Sequence, residues 1–529
     1  MNRKKIGIAF GFILLIFVLE GLLISNYNKS HNTKEAGTGF DAIELSDDGN
    51  EEYNAPEPEY DDTYYEETYA NVPYELATLK EDVPLRILIR NPSNGSEVHE
   101  SFSICAKGGF LVYSKAGVRI ASGKETQSLS SSRLKLKTGD KIMVTGNKGE
   151  LTLSGVEKEQ GNPTYCGKMD IYKTQDGYVL VNEVSMEEYL YSVLPSEMPS
   201  NYPKEALKSQ AVCARTYAYY YYCNPALYEW EANMDDSTNF QVYNNIGKQT
   251  STNEAVDETR GQILLKNGQV YPTYFFSTSC GITTDESVFM KQKGEYSAIY
   301  MPSVVVSLLQ EDAMECFSEI RTTSDLSDET NFRRFLSGEH FDAVEKTEAY
   351  YRWEVSVPVS AKELLQRLKN CSEKSSESVW VREAEADRFQ TGCPETLSKI
   401  YSISVSKRLK GGVCDELLIE SDTCQILVKK EYYIRMILSD SKSEVLRNDG
   451  QKKALGALLP SGFFVIDPVY DENSNEVKKL EIMGGGLGHG VGMSQNGAKQ
   501  LAENGFDYIE ILDLFYHIED CSNRVCFFS

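Results

Sequence analysis

Val181-Asn-Glu-Val-Ser-Met-Glu-Glu-Tyr-Leu-Tyr-Ser-Val-Leu-Pro-Ser-Glu-Met-Pro199 is the stretch on which the reading of this chain turns. It continues a strand-like run that opens at Tyr178, then places one carboxyl, Glu197, between Pro195 and Pro199. Immediately downstream comes Pro203-Lys-Glu-Ala-Leu-Lys-Ser-Gln-Ala-Val-Cys-Ala-Arg-Thr-Tyr-Ala218. The spacing predicts a helix over 203–222, because proline is tolerated in a first turn, where its missing N–H would be unpaired anyway. Ala206, Gln210, Ala214 and Ala218 form a stripe of mostly small residues along it, suited to close packing. A second dense block lies nearly three hundred residues away: Gly484-Gly-Gly-Leu-Gly-His-Gly-Val-Gly-Met-Ser-Gln-Asn-Gly-Ala-Lys499. Its glycines suggest a backbone that turns sharply and admits close neighbours, and a helix is expected from Met493 to about Asn504.

Outward from these blocks, short β-like runs recur between Gly, Asn and Asp turns. They are Pro84–Arg90, Phe110–Tyr113, Lys141–Gly146, Tyr178–Asn182, Val270–Phe276, Tyr401–Lys407 and Leu417–Ser421. Residues from about 303 to 396 read as a variable, partly helical excursion within a globular region of 81–529. The fold class expected is α+β, strand-rich with a few key helices. Ahead of that region, residues 27–80 read as an acidic stalk, since Tyr27 to Pro73 offers too little aliphatic surface to offset ordering. Residues 1–26 carry Arg3, Lys4 and Lys5 before the apolar run Ile6 to Ile24, long enough for one membrane span. The positive-inside bias would leave the tip cytoplasmic and the rest extracytoplasmic, at a cell membrane. No small-x-small cleavage site follows the run.

At 529 residues more than one unit is the default. A formal charge of −25 offers no basic stripe for phosphates, which argues against a nucleic-acid partner. The glycine block lacks a Gly-Lys-Ser/Thr ending, so nucleotide binding is not expected. No Gly-x-Ser-x-Gly elbow supports a serine hydrolase. Twelve cysteines are scattered without a C-x-x-C pair, which disfavours a zinc ribbon. Cys414 with Cys424, and Cys521 with Cys526, are close enough in sequence to pair across a turn; the plainer reading is buried free thiols.

The two dense blocks resemble the SpoIID/LytB family of sporulation lytic transglycosylases and amidase enhancers, over roughly Leu85 to Tyr516. The resemblance implies a cell-wall protein whose catalytic acid/base is the glutamate of Ser-Glu-Met-Pro, here Glu197. Its substrate would be peptidoglycan glycan strands, cut with formation of 1,6-anhydro-muramic ends. The alternative within the family is a non-catalytic enhancer that binds the wall or an amidase. A net acidic chain suits a neutral glycan or a protein better than anionic wall polymers. Some relatives of the sporulation enzyme carry a zinc-binding His/Cys cluster after the long helix. Here the stretch from Cys223 to Tyr243 holds one cysteine and no histidine, so no metal and no cofactor is expected.

A carboxyl that donates a proton at neutral pH needs a raised pKa, which burial beside Leu194 and Met198 would supply for Glu197. Arg215, on the helix among small residues, would pair a carboxylate or grip a substrate group, and the resemblance favours the substrate. Phe275-Phe-Ser-Thr-Ser-Cys-Gly-Ile-Thr-Thr-Asp285 corresponds to the family's Ser-x-Ser-Gly-Gly-x-Thr stretch. It nominates Ser277, Ser279 and Thr283 for glycan hydrogen bonds, with Cys280 where glycine is common. His489 and Gln495 are the candidates from the glycine block.

Overall fold

The computed structural model describes residues 74–156, 158, 161–245, 247–289, 306, 326–338 and 343–518. The expected membrane-spanning run, the acidic stretch up to Pro73 and the pair Cys521 and Cys526 lie outside the described residues. No helix among the described residues is long and apolar enough to cross a membrane.

Alternation decides the first sheet. In Pro84–Ile89, Leu85, Ile87 and Ile89 face the main core, while Leu88 joins Val179, Val181 and Ala232 in a small cluster on the other face. The strand pairs antiparallel with Tyr178–Ser185, which pairs with Thr164–Lys173 and then Lys141–Ser154. Ser103–Cys105 and Leu129–Ser130 extend the sheet, and the hairpin of Phe110–Ser114 and Arg119–Gly123 joins it at Lys141–Ser154. At the opposite edge Met234–Asp235 lies parallel to Pro84–Ile89. A smaller sheet pairs Tyr74–Thr78 with Gln262–Lys266, so strand structure already begins within the residues the sequence assigns to the stalk.

Helices α1 (Met186–Glu197), α2 (Lys204–Cys223) and α3 (Thr250–Glu258) follow the sheet and pack on one another. α2 matches the predicted helix within a residue at each end, with Pro203 as its N-cap and Ala206, Gln210, Ala214 and Ala218 all buried. α1 is not part of the sequence reading, which takes Pro195 and Pro199 only as the bounds of the stretch around Glu197. Pro195 sits in the last turn, where few bonds remain to be lost.

A second unit is inserted in the chain, after Phe275–Phe276 and before Met493–Ser494. It holds α4 (Glu329–Ser337), α5 (Ala361–Lys374), α6 (Glu431–Ile437) and two five-stranded sheets. One sheet centres on Trp353–Pro358 and Val477–Gly484, the other on Cys414–Ser421 and Cys424–Lys429. Its own core runs from Tyr350 to Leu487. Phe275–Phe276 and Met493–Ser494 pair in parallel, and the chain returns to the first core through α7 (Gln495–Glu503) and α8 (Tyr508–Tyr516). The strand expected over Val270–Phe276 is thus two short pieces, Gln269–Val270 and Phe275–Phe276. The architecture is α+β and strand-rich, as expected.

All nine described cysteines are free thiols. Cys414 and Cys424 begin neighbouring antiparallel strands, with Glu416 opposite Lys429 and Glu420 opposite Gln425. They stand near opposite ends of the hairpin, about 20 Å apart at the rise of a strand, far beyond disulfide reach.

Candidate active site

Glu197 is the last residue of α1, a helix opened by Ser185, whose hydroxyl accepts from Glu188 N. Pro199 forces the residue before it to be extended, and Met198 has φ −132° and ψ 132°. The chain therefore leaves the helix sharply at Glu197 instead of continuing into α2. Its Oε1 accepts the backbone N–H of Val242 at 2.7 Å. Oε2 has no partner among the described residues and is not sealed from solvent. Burial pushes the carboxyl from 4.5 up to about 7, against the opposing pull of the Val242 hydrogen bond.

Gln495 opens α7 and donates from Nε2 to the Glu197 carbonyl at 3.1 Å, bringing together residues 298 apart in sequence. Its neighbour Asn496 binds three ways. It accepts from Tyr202 Oη at 2.6 Å, donates from its own N to Ser277 O at 3.0 Å, and donates from Nδ2 to Thr278 Oγ1 at 2.9 Å. Ser277 is thereby held beside the α7 start, half-buried, its hydroxyl 3.3 Å from that of Thr278.

His489 lies on an aromatic bed, its ring centroid 5.1 Å from Phe289, 5.7 Å from Phe276 and 6.3 Å from Tyr274. Nδ1 accepts from Val491 N at 3.1 Å, so the neutral ring carries its proton on Nε2. The backbone can pass this closely because Gly492 has φ +75° and no Cβ; one added there would meet the Tyr274 carbonyl at 2.0 Å.

The remaining candidates point elsewhere. Arg215 is fully buried and grips Glu187 at the opposite end of α1, Nε and Nη2 each 2.9 Å from a carboxylate oxygen. It also donates to the carbonyls of Gln262 and Val256. Ten helical residues put Glu187 about 15 Å from Glu197, so the geometry gives Arg215 a role in fixing α1, not in meeting a ligand at the acid. Of the two options its sequence left open, the carboxylate partner is the one present. Ser279 and Thr283 are buried. Ser279 donates its N–H at 2.9 Å and its hydroxyl to Glu345, and the Thr283 carbonyl lies against Gly411. Cys280 is buried between these two, where burial pushes its thiol up to about 11.

Sequence reasoning missed Val242, Asn496, Tyr202 and Glu345. For Asn496 the signal was adjacency to Gln495. Val242 acts through its backbone and Glu345 through distant partners, neither of which leaves a local motif.

The arrangement offers one carboxyl poised near neutrality, anchored by one oxygen and open at the other. The stage II sporulation protein (SpoIID) family model matches residues 174–265, the segment that carries α1, α2 and the Val242 loop. A domain of unknown function (DUF8618) matches 298–492, covering most of the inserted unit. An uncharacterized protein of Brachyspira hyodysenteriae is 35% identical over 205 residues, 37% of this chain and 53% of that protein. The amidase enhancer of Bacillus subtilis is 27% identical over 327 residues, 62% and 39% of the two chains. Stage II sporulation protein D of Bacillus subtilis is 32% identical over 149 residues, 26% and 42%. The chain spans about half the length of these curated relatives, or less. The acid-bearing segment is thus a match to the SpoIID family, and relatives of both kinds, a stage II sporulation protein D and an amidase enhancer, align with the chain.

Proposed function

We propose that this protein is a peptidoglycan lytic transglycosylase of the bacterial cell wall, with Glu197 as its acid/base. The observation that carries the reading is the Glu197 carboxyl itself, raised to about 7, with Oε1 on Val242 and Oε2 open. Burial alone raises it, and no neighbouring carboxylate contributes. A glycosidase that uses water needs a second carboxylate as base or nucleophile, whereas a transglycosylase needs one, because the sugar's own C6 hydroxyl attacks. Protonated Glu197 gives its proton to the glycosidic oxygen as the C1–O bond breaks. The resulting carboxylate takes the proton of the C6 hydroxyl as C6–O bonds to C1. The products are a 1,6-anhydro-muramic end and a free 4-hydroxyl on the leaving sugar, and the enzyme returns to its protonated form.

A sporulation or wall-remodelling setting is supported by the names of the relatives. Anchoring at the cell membrane by Ile6 to Ile24, with the globular region outside, belongs to the same proposal. The second reading, an enhancer that binds an amidase or the wall without cutting it, is favoured by the wider coverage of this chain by the amidase enhancer, 62%.

Incubating the full chain and its Glu197→Gln variant with peptide-stripped glycan strands, with products read by mass spectrometry, separates the two. Anhydro-muramic ends from the wild type and none from the variant are expected. Glycan binding by both with no product from either would replace the enzyme with the enhancer.

A further inference from the structure

Side chains from the middle of the inserted unit bind the backbone of the two motif stretches at its ends, Phe275–Asp285 and Gly484–Lys499. Trp353 Nε1 donates to Gly486 O at 3.1 Å, Ser461 Oγ to Gly485 O at 2.6 Å, and Arg352 Nη1 to Cys280 O at 2.8 Å. Deepest among these contacts is Glu345, fully buried. Its carboxylate takes three donors, the N–H and hydroxyl of Ser279 and, at 2.6 Å, the hydroxyl of Ser494. Both serines are already committed on their other side: Ser279 Oγ accepts from Gly281 N, and Ser494 Oγ caps α7 by accepting from Gly497 N, each at 3.2 Å. Ser494 immediately precedes Gln495, which holds the Glu197 carbonyl.

We propose that Glu345 is a positioning residue for the chemistry at Glu197. From the inserted unit it clamps Ser279 and the α7 cap Ser494 together, and so sets where Gln495 and Asn496 sit beside the acid. This rests on the transglycosylase reading for its kinetic consequence and on hydrogen bonding alone for its structural one. Three donors aimed at two oxygens are matched by a carboxylate; protonation turns one acceptor oxygen into a donor and forces a serine hydroxyl to rotate away. Burial pushes Glu345 up to about 7 against those hydrogen bonds. The other ionisable groups around it are Glu348, which raises it and is itself paired with Lys499, together with Arg352, Tyr202, Tyr351 and Cys280.

The test uses the full chain with Glu345→Gln, which keeps shape but presents an NH2 to the serine donors, Glu345→Asp, which keeps charge, and Ser494→Ala. On stripped glycan strands Glu345→Gln is expected to lose about 100-fold in kcat with little change in KM, the scale of a small displacement of positioned groups. The wild-type rate should fall on the acid side near pH 7, and this limb should vanish in Glu345→Gln and return with partial activity in Glu345→Asp. Unchanged kcat with the acid limb intact overturns the proposal. Should the wild type make no anhydro product, the transglycosylase reading fails and hydrogen exchange still decides the clamp. Faster exchange than in wild type at the Gly281 and Gly497 amides in Glu345→Gln, and at the Gly281 amide in Ser494→Ala, upholds it, and equal exchange at Gly281 overturns it. Should Glu345→Gln fail to fold, the Ser494→Ala result decides alone.

Discussion

Replacing Glu197 by glutamine should make the protein more stable in mildly alkaline buffer, in proportion to the cost of keeping the acid ready. The carboxyl moves from 4.5 to about 7 because burial penalises its charged form. Between those values the folded state holds a proton that the unfolded chain has released, so stability falls as pH rises through the window and is level above it. At about 1.4 kcal/mol per pH unit the full cost is about 3 kcal/mol. Because Oε2 reaches solvent, about 1–3 kcal/mol is the fair range. Glutamine keeps an acceptor for Val242 N–H and carries no charge to desolvate. Urea denaturation of wild type and Glu197→Gln, from pH 4 to pH 8.5, should give curves that nearly coincide at pH 4. Above pH 7 they should separate by about 1–3 kcal/mol in favour of the variant. Glu345 and Asp513, also raised by burial, to about 7 and about 6, are common to both proteins and cancel in the difference. A flat difference, or a variant less stable than wild type at pH 8, would refute the claim that the acid is held charged at a cost.

Other consequences can be checked alongside. Arg215→Met should cost about 3–5 kcal/mol in denaturation, because it strands the buried Glu187 carboxylate. The fraction that folds should still cut strands with unchanged products, since the pair lies a helix length from Glu197. Gly492→Ala should fold poorly, with a transition lowered by at least about 2 kcal/mol, because both the positive φ and the Tyr274 carbonyl oppose a side chain. A non-reducing digest followed by mass spectrometry should contain no peptide linking Cys414 to Cys424.

Much of the site was legible where chemistry and local geometry coincide. The proline-bracketed Glu197 and the helix after it are written in adjacent residues, and Gln495 announces itself at the start of a helix. Arg215 shows where such reading stops. Its burial followed from the small residues around it, but its partner, Glu187, lies 28 positions away on a helix that is not part of the sequence reading. Ser279 is nominated as a glycan contact by the family's Ser-x-Ser-Gly-Gly-x-Thr stretch. Its hydroxyl is instead consumed by Glu345, 66 residues on, within Val344-Glu-Lys-Thr, which has nothing local to mark it. Charge buried by tertiary packing leaves no periodic trace.

The return of the chain to its first core has a bearing on how the molecule is made. Gln495 meets Glu197 across 298 residues, and Tyr74, at the first described strand, donates its N–H to His517 O at 2.6 Å. As the chain is synthesised, the acid-bearing helix therefore precedes its partner Gln495 by more than half the chain. Contacts of such separation form late and slowly. A truncated or stalled product would carry Glu197 without Gln495 or Asn496. On the proposed transglycosylase reading, the acid would lack its Gln495 partner until those last helices arrive.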